Sequence, residues 1–148
     1  MEGFADFVVH SPDDRIQLVV EVKSMNGASD EWAAKMRRNL LAHSMIPRSR
    51  FFLLALPEFF YLWRDNIAIE SVPADYKVRA RDALSHYVDD IDLEELSEPG
   101  FELLISSWLN HLVSSRITKD AAPELSWVFD SGLYESINGG SVETETAA

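Results

Sequence analysis

The sequence predicts an α/β domain, and three observations carry that expectation. Two segments rich in β-branched and aromatic residues flank a cluster of turn formers near the start. Two amphipathic helical periodicities occur further along. Between them, Phe51 to Leu56 is apolar throughout, as in a strand buried on both faces. At 148 residues, with 47% hydrophobic and 26% charged, the chain suits one globular unit with a single core.

The first two strands are expected at residues 4–9 and 16–23, joined through Ser11-Pro12-Asp13-Asp14-Arg15 as a β-hairpin. From Ser29 onward, Trp32, Met36 and Leu40 recur at four-residue spacing, with Ala33 and Leu41 beside them. That is a helix capped by Ser29, with Asp30 and Glu31 in its positive first turn, ending before Pro47. Residues 51–56 and 59–63 are expected to be strands, paired as a hairpin about Pro57-Glu58. Pro73 suits the first turn of a helix carrying Tyr76, Ala80, Ala83, Leu84 and Tyr87 on one side. Asp89 to Glu95 reads as a solvated connection. A helix capped by Ser97 follows, with Phe101, Leu104, Ile105, Trp108 and Leu112 as its buried stripe. Pro123 to Ile137 holds a short helix or turn. The domain is expected to close at residue 137, leaving 138–148, small and acidic, as a disordered tail.

Composition excludes several chemistries. With no cysteine there is no disulfide, thiolate metal site or cysteine nucleophile. A net charge of −12 argues against wrapping nucleic acid by bulk electrostatics, although a site needs only local basic groups and a cation. No signal peptide is read at Met1-Glu2-Gly3, and no apolar run is long enough to span a bilayer, so a cytoplasmic location is expected.

The hairpin carries the chemistry. A two-residue loop at 13–14 and a four-residue loop at 12–15 give the same register, in which paired positions sum to 27. Asp6 then faces Glu21, and Lys23 shares their side of the sheet, while Val20 and Val22 point into the core. Two adjacent carboxylates repel each other, and a divalent, oxygen-seeking cation such as Mg²⁺ or Mn²⁺ relieves that repulsion. A lysine beside such a cation suits phosphoryl chemistry, steadying an attacking water or the charge of the transition state. Taken by spacing alone, the same three residues also describe a solvated sheet face with cross-strand salt bridges.

Asp6, fourteen residues, then Glu21-Val22-Lys23 resembles the PD-(D/E)XK nuclease superfamily. Ala5-Asp6-Phe7-Val8-Val9, Leu18-Val19-Val20-Glu21-Val22-Lys23 and the segment Phe51 to Arg64 are most similar to the nuclease domain of type I restriction enzyme R subunits and related uncharacterised proteins. The resemblance covers about residues 4–65. It implies a restriction-endonuclease-like fold, a mixed sheet flanked by helices, with extra helices after it. It also implies a hydrolase, an endonuclease dependent on Mg²⁺ or Mn²⁺, acting on DNA, with Asp6 and Glu21 as metal ligands and Lys23 as base or charge stabiliser. Pro12-Asp13 spells the family's name literally, but the register places Asp13 at the hairpin tip, so the motif aspartate is assigned to Asp6. Two features depart from the family. Only Met1 to Gly3 stand where its first core helix is expected, so either the sequence is truncated or another chain, in a homodimer or larger assembly, supplies that element. The helix after the lysine offers Lys35-Met36-Arg37-Arg38-Asn39 rather than Gln-x-x-x-Tyr. The alternative function is a catalytically inactive nuclease-fold module working inside a larger assembly.

Lys35 and Arg38 are the residues expected to contact nucleic acid, within a local basic excess that includes Arg37, Arg48 and Arg50; a solvated helix face competes with that reading. His10, His43, His86 and His111 lack ligand spacing and read as structural. Phe51, Phe52, Phe59, Phe60, Tyr61 and Trp63 read as core rather than a base-stacking platform.

Overall fold

A computed structural model describes residues 5–65, 70–88 and 90–144. It is an α/β fold: a six-stranded mixed sheet with helices on both faces. Strand β1 (Phe7–His10) pairs antiparallel with β2 (Ile16–Val22). Helix α1 (Asp30–Ala42) makes the crossover that lets β3 (Phe51–Ala55) lie parallel to β2. Then β4 (Phe59–Trp63) returns antiparallel to β3, and β5 (Tyr76–Arg79) antiparallel to β4.

Short α2 (Ala80–Ala83) and long α3 (Glu98–Ser114) follow, then α4 (Ser126–Asp130) and α5 (Leu133–Ile137). Strand β6 (Ser141–Thr144) closes the order β5-β4-β3-β2-β1-β6. Among the described residues no helix is long and apolar enough to cross a membrane.

The local signals hold where they are strongest. The Ser29 hydroxyl accepts the Trp32 amide at 3.0 Å and starts α1; the Ser97 hydroxyl accepts the Gly100 amide at 3.2 Å and starts α3. All five residues of β3 are buried because the strand is central and sandwiched. One face packs Val9, Leu18, Val20, Leu53, Phe60 and Leu62 under α3, α4 and α5. The other packs Val8, Val19, Phe52, Leu54, Tyr61 and Trp63 under α1. Both faces thus carry helices of this chain.

Three expectations change. The helix expected from Pro73 is instead strand β5 running into α2. Tyr76 to Arg79 pairs residue by residue with Phe59 to Leu62, and a strand followed by one helical turn imitated a longer helical period. The hairpin loop is neither of the two expected: the Ser11 amide donates to the Arg15 carbonyl at 2.8 Å, and Asp14 adopts a φ of 64° in a three-residue loop. A bulge between Val9 and His10 then restores the register, so Phe7 faces Val20 and the sum of 27 survives.

The disordered tail is corrected as well. Residues 141–144 form β6 against β1, and of that segment 145–148 lie outside the described residues. Asn138 Nδ2 donates to the Leu112 and Ser115 carbonyls at 3.1 and 2.8 Å, tying the turn to the end of α3. A Cβ on Gly140 would overlap the His10 carbonyl, so the close approach of the chain to β1 requires glycine there. The domain therefore extends past residue 137.

Candidate active site

The C-terminal ends of β2 and β3 and the start of β1 meet at one end of the sheet, where Asp6, Glu21 and Lys23 stand. Asp6 lies just before β1, where the regular ladder stops. Its amide donates to the Val20 carbonyl at 3.0 Å, and its Oδ2 accepts the Val22 amide at 2.7 Å. On the other side of β2, the Lys23 amide donates to the Ala55 carbonyl of β3 at 3.1 Å. The Asp6 carboxylate thus takes a sheet acceptor's place, which fixes it against β2 beside Glu21.

Glu21 is 5% exposed and stands beside Asp6. Burial first, then the hydrogen bond to Asp6 and its charge, push the Glu21 carboxyl up to about 8; Lys23 pulls the other way. Lys23 is half-buried beside them.

Helix α3 brings two further carboxylates to this end. Glu98 Oε1 accepts the Ser24 amide at 3.1 Å, just beyond Lys23. Glu102, one turn on, is raised by burial and by the charges of Asp6 and Glu98, and it raises Glu21 in turn. Sequence reasoning placed these acids on the correct helix but missed their role. Periodicity shows which face of a helix is buried, not against which end of which strand it docks.

The donor set bears on a cation. Among the described residues no group of three His, Asp or Glu side chains is arranged to hold a metal ion. The two contacting carboxylates fit Mg²⁺ or Mn²⁺, which usually takes one or two carboxylates and completes its shell with water and phosphate oxygens. They do not fit a cation that needs an all-protein cage.

No family model, curated protein or solved structure matches the chain.

Other residues fall elsewhere. Asp13 sits at the hairpin tip, bonded to the Ser11 hydroxyl and 3.4 Å from Arg15, apart from Glu21. Lys35 and Arg38 are exposed on α1, and among the described residues no hydrogen bond or ion pair joins either to Asp6, Glu21 or Lys23. Arg37, between them, is fully buried: it donates to the Asp65 and Glu70 carbonyls at 2.9 and 3.2 Å and lies over the Trp63 ring. It is a structural arginine. Arg48 and Arg50 precede β3, at the opposite end of the sheet, and Arg50 bonds Ser136 at 3.2 Å. The histidines are dispersed: His10 lies 3.2 Å from Glu143, and His86 lies 3.2 Å from Glu124. Of the six aromatics in 51–63, only Phe59 is not buried.

Proposed function

We propose that the protein is a divalent-cation-dependent phosphodiesterase that cleaves DNA, with the restriction-endonuclease-like site of the PD-(D/E)XK class. The observation that carries this reading is the buried Glu21 carboxyl set against the half-buried Asp6, with Lys23 beside them. Asp6 and Glu21 would hold Mg²⁺ or Mn²⁺, which when bound polarises a phosphoryl oxygen and lowers the pKa of water. Asp6 is oriented by the Val22 amide and cannot swing away without leaving that donor unpaired. Glu21 would hold the cation as a carboxylate, its proton passing to solvent. Lys23 orients the attacking water with its ammonium and offsets the negative charge that builds on phosphorus oxygens.

The test is incubation with plasmid, single-stranded and branched DNA in Mg²⁺ or Mn²⁺. Cleavage should be lost in Lys23→Ala and Glu21→Gln; cleavage that persists in both belongs to a contaminant, and the reading fails.

A second reading is a nuclease-fold interaction module without turnover. The net charge of −12 favours it. Calorimetric titration with Mn²⁺ separates the two: heat that disappears in Asp6→Ala supports the enzyme, and none in either protein supports the module.

A further inference from the structure

The cross-sheet register aligns a second cluster with the acidic pair. Glu21 pairs with Leu54, Leu54 with Tyr61, and Tyr61 with Lys77, so one row of residues on one sheet face runs from Glu21 to Lys77. Three strand spacings separate its ends, about 14 Å. Arg79, two residues on and on the same face, pairs with Phe59 at the sheet end that holds Asp6, Glu21 and Lys23.

At the far end of that row, two cations lie over one ring. Lys77 Nζ is 4.3 Å from the Phe59 centroid, and the Arg79 guanidinium carbon is 5.9 Å from it. Lys77 also bonds Asp30 at 2.8 Å, and the Tyr61 hydroxyl donates to the same carboxylate at 3.1 Å. Among the described residues Arg79 makes no ion pair, and it is exposed. Asp30, Glu31 and Glu58 all act on the Tyr61 hydroxyl, and Asp30 is the carboxylate that Lys77 bonds, so Arg79 is the cation of this pair left to meet an anion. Both side chains share contact with the half-buried Phe59 ring, which carries them at the surface of the sheet. The loop from Lys23 to α1 is exposed, with Met25 41% exposed and nothing within 4 Å of where a Cβ on Gly27 would stand.

We propose that Lys77 and Arg79, carried on Phe59, clamp the phosphodiester backbone of DNA whose cleaved linkage lies at Asp6, Glu21 and Lys23. The clamp rests on the proposed nuclease reading and names where that substrate is gripped. It replaces Lys35 and Arg38 as the nucleic-acid contact: those two are on the exposed side of α1, whereas Lys77 and Arg79 share the row and the sheet end of the acidic pair. Guanidinium suits this task because its planar fork grips phosphate oxygens while stacking on a ring. A contact to phosphate oxygens positions the strand without reading its sequence.

The experiment measures binding of fluorescently labelled single-stranded and duplex DNA by anisotropy, with Ca²⁺ in place of Mg²⁺, over a series of salt concentrations. Arg79→Glu should weaken binding about tenfold or more, and Arg79→Gln should lower the salt slope by about one. Arg48→Glu, at the opposite end of the sheet, is the control for bulk charge. Circular dichroism and thermal melts establish that each variant is folded, and Arg79→Lys should recover most of the affinity. Equal losses in Arg79→Glu and Arg48→Glu would overturn the clamp, as would no measurable DNA binding. Arg79-dependent binding without cleavage by the wild-type protein keeps the clamp and removes the nuclease. Cleavage with unchanged kcat/KM in Arg79→Glu does the reverse.

Discussion

Asp6 Oδ2 accepts the Val22 amide at 2.7 Å, and this bond makes the proposed metal ligand part of the sheet. The side chain terminates the β1–β2 ladder and presents its charge to Glu21 at once. Asp6→Ala should therefore lower stability as well as abolish Mn²⁺ binding, because a buried amide loses its acceptor, a cost of about 1–3 kcal/mol. Asp6→Asn keeps an oxygen for that amide and should stay close to wild type in urea denaturation while still losing the calorimetric signal. Equal stability in Asp6→Ala and wild type would show that the bond does not hold the site.

Glu21 gives stability a pH dependence. Its folded carboxyl is raised to about 8 from an ordinary value of 4.5, so between those values the folded state holds a proton that the unfolded state has released. Stability from this group is complete below pH 4.5 and declines as pH rises through 8, by on the order of a few kcal/mol. Glu102, raised in the same direction, adds to the slope. Denaturation in chelator at pH 5.5, 7 and 8.5 should show the fall, and Glu21→Gln should flatten it. Added Mn²⁺ should restore stability at the upper end, where the ionised pair binds it.

Much of the site was legible because a hairpin is local. Apolar alternation on both strands fixes which residues share a face, and the sum of 27 survived even though the loop was misassigned, since the bulge near His10 compensates for the odd loop. Helices α1 and α3 were equally legible from their serine caps and stripes. Strand β5 was not, because four alternating residues followed by Ala80 and Ala83 satisfy a helical period as well as a strand's. Its loss concealed Lys77 and Arg79, whose common face exists only in the extended form. Glu98 and Glu102 were concealed for another reason: their partners lie more than seventy positions away, and no spacing encodes that docking.

Gly140 tests the corrected C-terminal boundary. Gly140→Ala drives a methyl into the His10 carbonyl, so β6 must move off β1 or the turn after α5 must open. We expect a loss of about 1–3 kcal/mol, as for other overpacked sites. Amide exchange at Val142 and Glu143 should quicken in the same variant. Unchanged protection there would mean that β6 does not depend on this approach.

Arg37 and Arg38 are sequence neighbours with opposite fates, and alanine substitutions should separate them. Arg37→Ala removes a buried guanidinium, leaves the Asp65 and Glu70 carbonyls short of a donor, and opens space beside Trp63. A loss of about 3 kcal/mol or more is expected, the range seen when a buried charged network loses a member. Arg38, exposed and bonded to Asn39 at 3.3 Å, should change stability by no more than about 0.5 kcal/mol when replaced. DNA binding by Arg38→Ala should stay near wild type, since α1 does not carry the grip assigned to β5. Strong loss of binding with unchanged stability in Arg38→Ala would return the nucleic-acid contact to α1 and displace the clamp on Phe59.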